Sequence, residues 1–473
     1  MSKSFGPIFK VHLGQLTWIV INDHKIAKDL FVSRGATFSS RLQFGLSDIL
    51  LHNGKSVGHS PNSSWWKTMR TLEMQAIRPH LIDNVCFPII SCNVKGFLQQ
   101  LHLKSGNNIT QNPTADIRFC ITKILTSIIF GELANDSDNL ERYSCLVKKI
   151  MAFADVKGTL LSVFSWLKYF GLQKIFEREA RQLVAEMDEF SNGLLQQIKH
   201  RMIENGPDSE TCVSAEILKS VTVDPSFVAS PHAHEFKKDE NGKYIFDNYD
   251  VLTICNDLMI PGVSTMSGAL DWIFATLANH PKVQRKIQQE LDRVVGKGKF
   301  YTMDHNADLH YLKATIKESL RFRTVVNLSP PHCSSQDEIY NGYHIPANTG
   351  IVINFNAIHS NPLLHDEPHE FRPERYLDEN GHLKKYDEIL DPWSFSRGRR
   401  TCLGINLAYC NMFTFIGHTL AVFDLELEKD LFTNEPIKIN LDAGIGHDFE
   451  YLPPEYKLIC KVREGIDIEA ALA

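Results

Sequence analysis

Residues 395–404 read Phe-Ser-Arg-Gly-Arg-Arg-Thr-Cys-Leu-Gly, and this stretch restricts the chain more tightly than any other. Two glycines bracket a cysteine, three arginines precede it, and an apolar helical pattern from Ile405 to Val422 follows. Glycine lets a backbone turn sharply and approach a flat ligand closely. A cysteine just before a helix N-terminus and beside arginine has its thiolate favoured by the helix dipole and the cation. An isolated cysteine is far more often a small buried hydrophobe. The ten-residue setting turns that preference toward a ligand.

Composition narrows the remaining classes. The 473 residues carry 50 Lys+Arg against 56 Asp+Glu, a net charge of −6, which argues against a dedicated nucleic-acid binder. With 43% hydrophobic and 22% charged residues, the chain is neither disordered nor fibrous. None of the ten cysteines forms a Cys-x-x-Cys pair, so no zinc ribbon or thioredoxin-type site is indicated. Most of them should be small buried hydrophobes in a reducing compartment. No stretch reads as a run of 18 or more apolar residues: Leu16–Ile21 and Met412–Phe423 are too short. The N-terminus lacks a signal peptide's apolar region, so the chain as given reads as soluble.

The periodicity predicts a mainly α protein with small β-sheets (α+β). Two strands, about 7–13 and 16–21, flank a Gly14-Gln15 turn, and a helix from about His24 to Ser33 follows. Residues 64–203 are mostly helical. The segment 204–248 reads as a long exposed loop with one short helix. Helices are expected over about 250–278, from Pro281 toward Gly296, over 309–322 and over 405–422. Short strands are expected at 338–340, 343–345, 350–354, 424–428 and 456–462. No linker or repeat divides the chain, so residues 1–473 read as one domain.

A thiolate is a strong ligand for haem iron and pushes electron density that favours O–O cleavage. The stretch resembles the cysteine loop of the cytochrome P450 family, Phe-x-x-Gly-x-Arg-x-Cys-x-Gly, matching it at Phe395, Gly398, Arg400, Cys402 and Gly404. The resemblance implies haem b as cofactor, Cys402 as axial metal ligand, Phe395 shielding the sulfur and Arg400 pairing a haem propionate. It also implies the family fold: a triangular helix-rich body with haem between a long central helix and the cysteine loop.

Further segments fit in order. Glu318-x-x-Arg321 has i, i+3 spacing, which puts acid and base on one helical face. Most such pairs are weak surface salt bridges. With Arg375 in Phe371–Tyr376, however, the resemblance implies a structural Glu318–Arg321–Arg375 network. Trp66-x-x-x-Arg70 likewise shares one face and could donate to a propionate; alone, it would read as a half-buried Trp beside a surface Arg. His332 falls where members of the family often place another propionate partner.

The oxygen-activation segment, Met259 to Met266, matches loosely. Gly262 and Thr265 fit the family pattern: Gly262 would let the helix approach the haem, and Thr265 could hydrogen-bond dioxygen. The usual acid is Ser264, and Pro261 replaces a small residue. Pro261 removes an N–H and leaves the Asp257 carbonyl without its helical partner, so a kink or bulge is expected. Ser264 with ordered water is expected to replace the acid, since a hydroxyl both accepts and donates.

The substrate pocket is expected along the loop from Gln43 to Gly58, Met259, Val263 and Met266, the segment Val325, Val326 and Leu328, and the turn at Ile445. These are mostly apolar, favouring a hydrophobic small molecule that is hydroxylated or epoxidised with O2 and NADPH-derived electrons. Lys67, Lys384, Lys385, Arg397 and Arg399 could dock an acidic NADPH-cytochrome P450 reductase, with cytochrome b5 as a second donor. Scattered solubilising charge is the plain alternative. A monomer at the cytosolic face of the endoplasmic reticulum membrane is expected. The run Cys402–Ala408 looks most like fungal microsomal members, and the chain looks truncated after a membrane anchor. Two other readings stand beside this one. The first is a haem-thiolate isomerase, dehydratase or peroxygenase needing no reductase. The second is a non-enzymatic haem protein.

Overall fold

The computed structural model describes every residue except 1, 43–45, 53, 106–108, 135–136, 155–157, 225–236, 447–449 and 473. The body is helical, and its axis is the central helix Asn248–Asn279, which is buried along most of its length. An Asp247–Asp250 capping box starts it. Its 32 residues span about 48 Å. It packs most extensively on the helix Thr114–Phe130, and Gly262 is what permits this closeness: a Cβ there would lie 2.9 Å from Leu125.

The N-terminal hairpin forms as expected, Ile8–Leu13 paired with Leu16–Ile21 in the register Ile8↔Ile21. Its second strand pairs in parallel with Gly350–Ile353, which continues through His332–Cys333 to Ser40–Arg41, giving a five-stranded sheet. A second, smaller apolar core lies on this sheet and includes Phe31, Phe38, Ile351, Phe355 and Trp393. The sheet thereby positions Arg41 and His332, and Trp393 carries the contact into the approach to the cysteine loop.

Several elements depart from expectation. The first helix is α only over His24–Lys28, then widens to a π-turn over Asp29–Ser33, where the Arg34 N–H reaches the Asp29 carbonyl at 2.8 Å. The segment 204–248 is not a plain exposed loop. Its helix Val213–Ser220 buries Val213, Ser214, Ala215 and Ile217, and short parallel strands Val221–Val223 and Tyr244–Phe246 follow. Helix runs unbroken through Pro261. Two helical stretches, Ser64–Lys104 and Asn248–Asn279, are long and apolar enough to match a membrane span by length and composition, which the sequence reading missed. The second is 78% buried inside the body, as a core helix is. Cys86, Cys120, Cys212, Cys255, Cys333 and Cys460 are buried, whereas Cys92 and Cys145 lie at the surface.

Glu318, on the helix His310–Phe322, is fully buried. Arg321 grips it in fork geometry, Nε to Oε2 at 2.8 Å and Nη2 to Oε1 at 2.7 Å. Arg375 Nε donates at 3.1 Å and the Arg372 N–H at 2.9 Å. The spare arginine N–H groups go to carbonyls of His359, Pro368, Glu367 and Glu370. Glu318→Ala would leave two arginines buried without their acceptor. Such a loss should lower unfolding free energy by roughly 3–5 kcal/mol, as read by urea denaturation.

Candidate active site

The cysteine loop is shaped by its glycine and by its own backbone. Gly398 has φ +77°, and a Cβ there would come within 2.1 Å of the Phe31 carbonyl oxygen, so no other residue fits. The Cys402 N–H bonds the Phe395 carbonyl at 2.9 Å, and the Thr401 hydroxyl bonds the Gly398 carbonyl at 2.7 Å. The helix Ile405–Val422 starts directly after Gly404, so Cys402 stands at its N-terminus. Burial raises the thiol pKa, opposed by the Gly404 N–H and by Arg70. Yet the Cys402 side chain is solvent-accessible. Both facts hold if Cys402 opens into a hollow inside the body.

The central helix has an open face of its own. Pro261 is exposed in the middle of this otherwise buried helix, and Leu258, Gly262 and Thr265 are partly so. Pro261 and Thr265 share a face at i, i+4. The Thr265 hydroxyl donates to the Pro261 carbonyl at 2.8 Å. Ser264 is only 2% exposed, and its hydroxyl is bonded to the Glu450 carboxylate. Sequence reasoning missed Glu450, 186 residues away, which the hairpin Ile445–Gly446/Tyr451–Leu452 brings in. Tyr451 anchors that hairpin, its N–H to the Val325 carbonyl and its carbonyl to the Trp272 indole N–H, both at 2.6 Å.

The expected pocket wall divides. Met259 and Val263 are completely buried and Met266 nearly so, because steps of 100° along the helix turn them away from the open face. Val325 is buried, Val326 and Leu328 are half-buried, and Ile445 is 52% exposed on the hairpin. Gln43 lies outside the described residues.

Basic groups gather beside the cysteine. Arg400 donates to the carbonyls of Ser39, Val57 and Ser60 at 2.8, 2.9 and 2.6 Å, and lies 4.0 Å over the Trp66 ring. Arg41 donates to Gly58 and Pro330, and Arg70 to the Thr401 carbonyl at 2.5 Å. The Trp66 N–H, expected to face a propionate, is spent on the Val57 carbonyl at 3.1 Å. His332 Nδ1 bonds the Phe38 carbonyl at 2.8 Å and therefore carries the proton. Among the described residues no carboxylate forms an ion pair with these three arginines. Burial, then repulsion from Arg41 and Arg70, lowers Arg400 to about 8. Burial with Arg41 and Arg400 nearby lowers His59 to about 3 and pushes His332 well below its usual range.

The cytochrome P450 family model matches residues 1–442. The chain belongs to the cytochrome P450 family. It is 28% identical to a steroid 17-alpha-hydroxylase/17,20 lyase of Rana dybowskii, over 98% of this chain and 85% of that one. The enzyme of the same name from Mesocricetus auratus is also 28% identical, over 91% and 81%. A solved zebra fish cytochrome P450 structure with progesterone shares the fold, with TM-score 0.79, 21% identity and 97% coverage of both chains.

The protein is thus a haem b monooxygenase, and its residues fit that cofactor. Haem carries two propionates, and the buried Arg41 and Arg400, which have no ion-paired carboxylate among the described residues, are what such anions would neutralise. An accessible thiol at a helix N-terminus suits a thiolate ligand, which the metal would deprotonate.

One feature of the hollow was not legible in the sequence. Glu73, one turn past Arg70, hydrogen-bonds the Asp257 carboxyl of the central helix. Burial, then Asp257, raises Glu73 well above its usual range, and burial raises Asp257 to about 7. Folded carboxyls of this kind keep a proton that the unfolded chain has lost. Their stabilising contribution is whole below about pH 4 and lost as pH rises toward about 7. Asp257→Asn should therefore lose less stability than the parent between about pH 5 and 7, as read by urea midpoints.

Proposed function

We propose that this protein is a reductase-coupled monooxygenase, one catalytic domain over residues 1–473, that hydroxylates or epoxidises a hydrophobic small molecule of steroid-like bulk. The observation that carries the reading is an accessible thiol at a helix N-terminus, Cys402; on this reading it opens into a hollow walled by the exposed face of the central helix at Pro261 and Thr265. The names of the steroid-hydroxylating relatives support the substrate class. Bound haem supplies oxygen activation and insertion into a C–H or C=C bond.

This chain's residues take the following roles. Cys402 ligates the iron, with Phe395 beside the sulfur and Gly398 and Gly404 shaping the loop. Arg400, Arg70 and His332 hold the propionate side, and Trp66 stacks against Arg400 and Arg70 to fix them. Glu318, Arg321 and Arg375 keep the loop's support in place. Thr265 offers its hydroxyl to the hollow, and Gly262 keeps the helix wall where it is. Ser264, tied to Glu450 and water, forms a proton path from the hairpin side. Val326, Leu328 and Leu258 offer apolar wall to the substrate, with Met259, Val263, Met266 and Val325 packed behind it and Ile445 at the mouth. Thr265→Ala should still consume NADPH while product per NADPH falls roughly tenfold or more; unchanged coupling would remove Thr265 from the scheme.

We further propose that the monomer works on the cytosolic face of the endoplasmic reticulum membrane and takes electrons from NADPH-cytochrome P450 reductase, with cytochrome b5 as a second donor. Phe164, Trp166, Tyr169 and Phe170 form an exposed aromatic run, with Trp166 edge-on to Phe164 and Phe170. It lies beside the N-terminal hairpin, where the Gln15 N–H reaches the Val163 carbonyl. Aromatic side chains favour the membrane–water interface. Lys67, Lys384, Lys385 and Arg399 are exposed, while Arg397 is partly buried against Trp393 and Tyr386. On phospholipid vesicles carrying the reductase, the reduction rate should fall as salt rises, and the double variant Trp166→Ser, Phe170→Ser should bind fewer vesicles. Salt-independent reduction would contradict charged docking, and unchanged vesicle binding would contradict the aromatic contact.

A further inference from the structure

The carboxyl pair Glu73–Asp257 has no part in holding the cofactor or the substrate. Glu73 is 1% exposed, and its Oε1 has no hydrogen-bond donor among the described residues. Asp257 is fixed from its other side, accepting the Val57 N–H at 2.6 Å and the Ser56 hydroxyl. Two carboxyls in contact cannot both be charged at low cost, so they hold a proton between them. The ionisable groups facing the pair are Arg70, on the Glu73 helix, and the Cys255 thiol, on the central helix. An amide or apolar pair would join the same two helices without the cost of burying acids.

The pair lies where a proton is needed. Arg70 lies within electrostatic reach of both Cys402 and Glu73, and Glu73 bonds Asp257, so the pair joins the Arg70 helix to the central helix. Asp257 is half-buried and lies on the same face of the central helix as exposed Pro261 and partly exposed Thr265, four and eight residues on. Along the central helix Asp257 precedes Pro261 by one turn and Thr265 by two, about 12 Å in all. Pro261 frees the Asp257 carbonyl, and the Pro261 carbonyl holds the Thr265 hydroxyl. A row of polar groups therefore runs along this wall, spaced for bridging waters.

We propose that the Glu73–Asp257 pair stores one proton at the rim of the hollow and releases it, through water along the Pro261 gap, during oxygen activation. This rests on the monooxygenase reading. The overall change is RH + O2 + 2 H+ + 2 e− → ROH + H2O, with both electrons from NADPH through a flavoprotein reductase. The pair supplies one of the two protons, is left doubly charged, and recovers a proton from solvent; only its O–H bond breaks and re-forms. It acts through water, as a proton-relay pair, and is separate from Ser264–Glu450 on the hairpin side.

The test uses oxidised holoprotein and the variants Glu73→Gln, Asp257→Asn and Asp257→Glu. Infrared difference spectra in H2O and D2O should show a protonated-carboxyl C=O band at neutral pH that shifts on deuteration and vanishes in Glu73→Gln. Product per NADPH should fall roughly tenfold in Glu73→Gln and Asp257→Asn. Asp257→Glu should recover part of it, and the alkaline limb of the pH profile should move. If Asp257→Asn fails to fold, the near-isosteric Glu73→Gln decides. Lost band with parental coupling and pH profile in Glu73→Gln would overturn the proposal by making the pair purely structural. Absence of the protonated band in the parent would overturn it as well. A parent that makes no product with any reductase yet shows the band would instead refute the monooxygenase reading.

Discussion

A carboxylate with no exposed surface, Glu318, holds the architecture around the site in register. Two arginines and a backbone N–H satisfy it, and those arginines spend their remaining donors on carbonyls between residues 359 and 370. The same region reaches the cysteine loop. His359 bonds the Thr324 hydroxyl at Nδ1 and accepts the Trp393 N–H at Nε2, and the Ser394 hydroxyl donates to the Leu320 carbonyl. The helix carrying Glu318 is thereby tied to the start of the loop that presents Cys402. Pre-organisation of this kind keeps a ligating side chain in place without help from the ligand.

Electrostatics give the hollow two different sides. On one, Arg41 and Arg400 are buried and Arg70 half-buried, with carbonyls as partners and no ion-paired carboxylate among the described residues, an arrangement that is costly until a dianion arrives. On the other, Glu73 and Asp257 avoid charge by sharing a proton. Arg70 touches both sides.

Much of this was legible in the chain because local rules decided it. Gly398 and the cysteine before a helix specify the loop, and the i, i+3 spacing of Glu318 and Arg321 specifies their shared face. The hairpin at Gly14 and the helices 281–294 and 405–422 followed from turn residues and periodicity. What stayed hidden depends on tertiary position. Met259 and Val263 are apolar on a central helix whether they face a pocket or the core, so composition could not tell the two apart. Glu450 and Glu73 carry no local signal, because their partners are 186 and 184 residues away. Trp66 was singled out by its spacing to Arg70 and His332 by the family resemblance, but the carbonyls that bind them come from residues 57 and 38.

The central claim is that Cys402 ligates haem iron as a thiolate, and the carbon monoxide difference spectrum of the dithionite-reduced holoprotein tests it most directly. A Soret band at the long wavelength of thiolate ligation is the predicted result, lost in Cys402→Ala. A band at the shorter wavelength of a neutral or histidine ligand in freshly folded, haem-loaded protein would contradict it, as would a long-wavelength band that survives in Cys402→Ala.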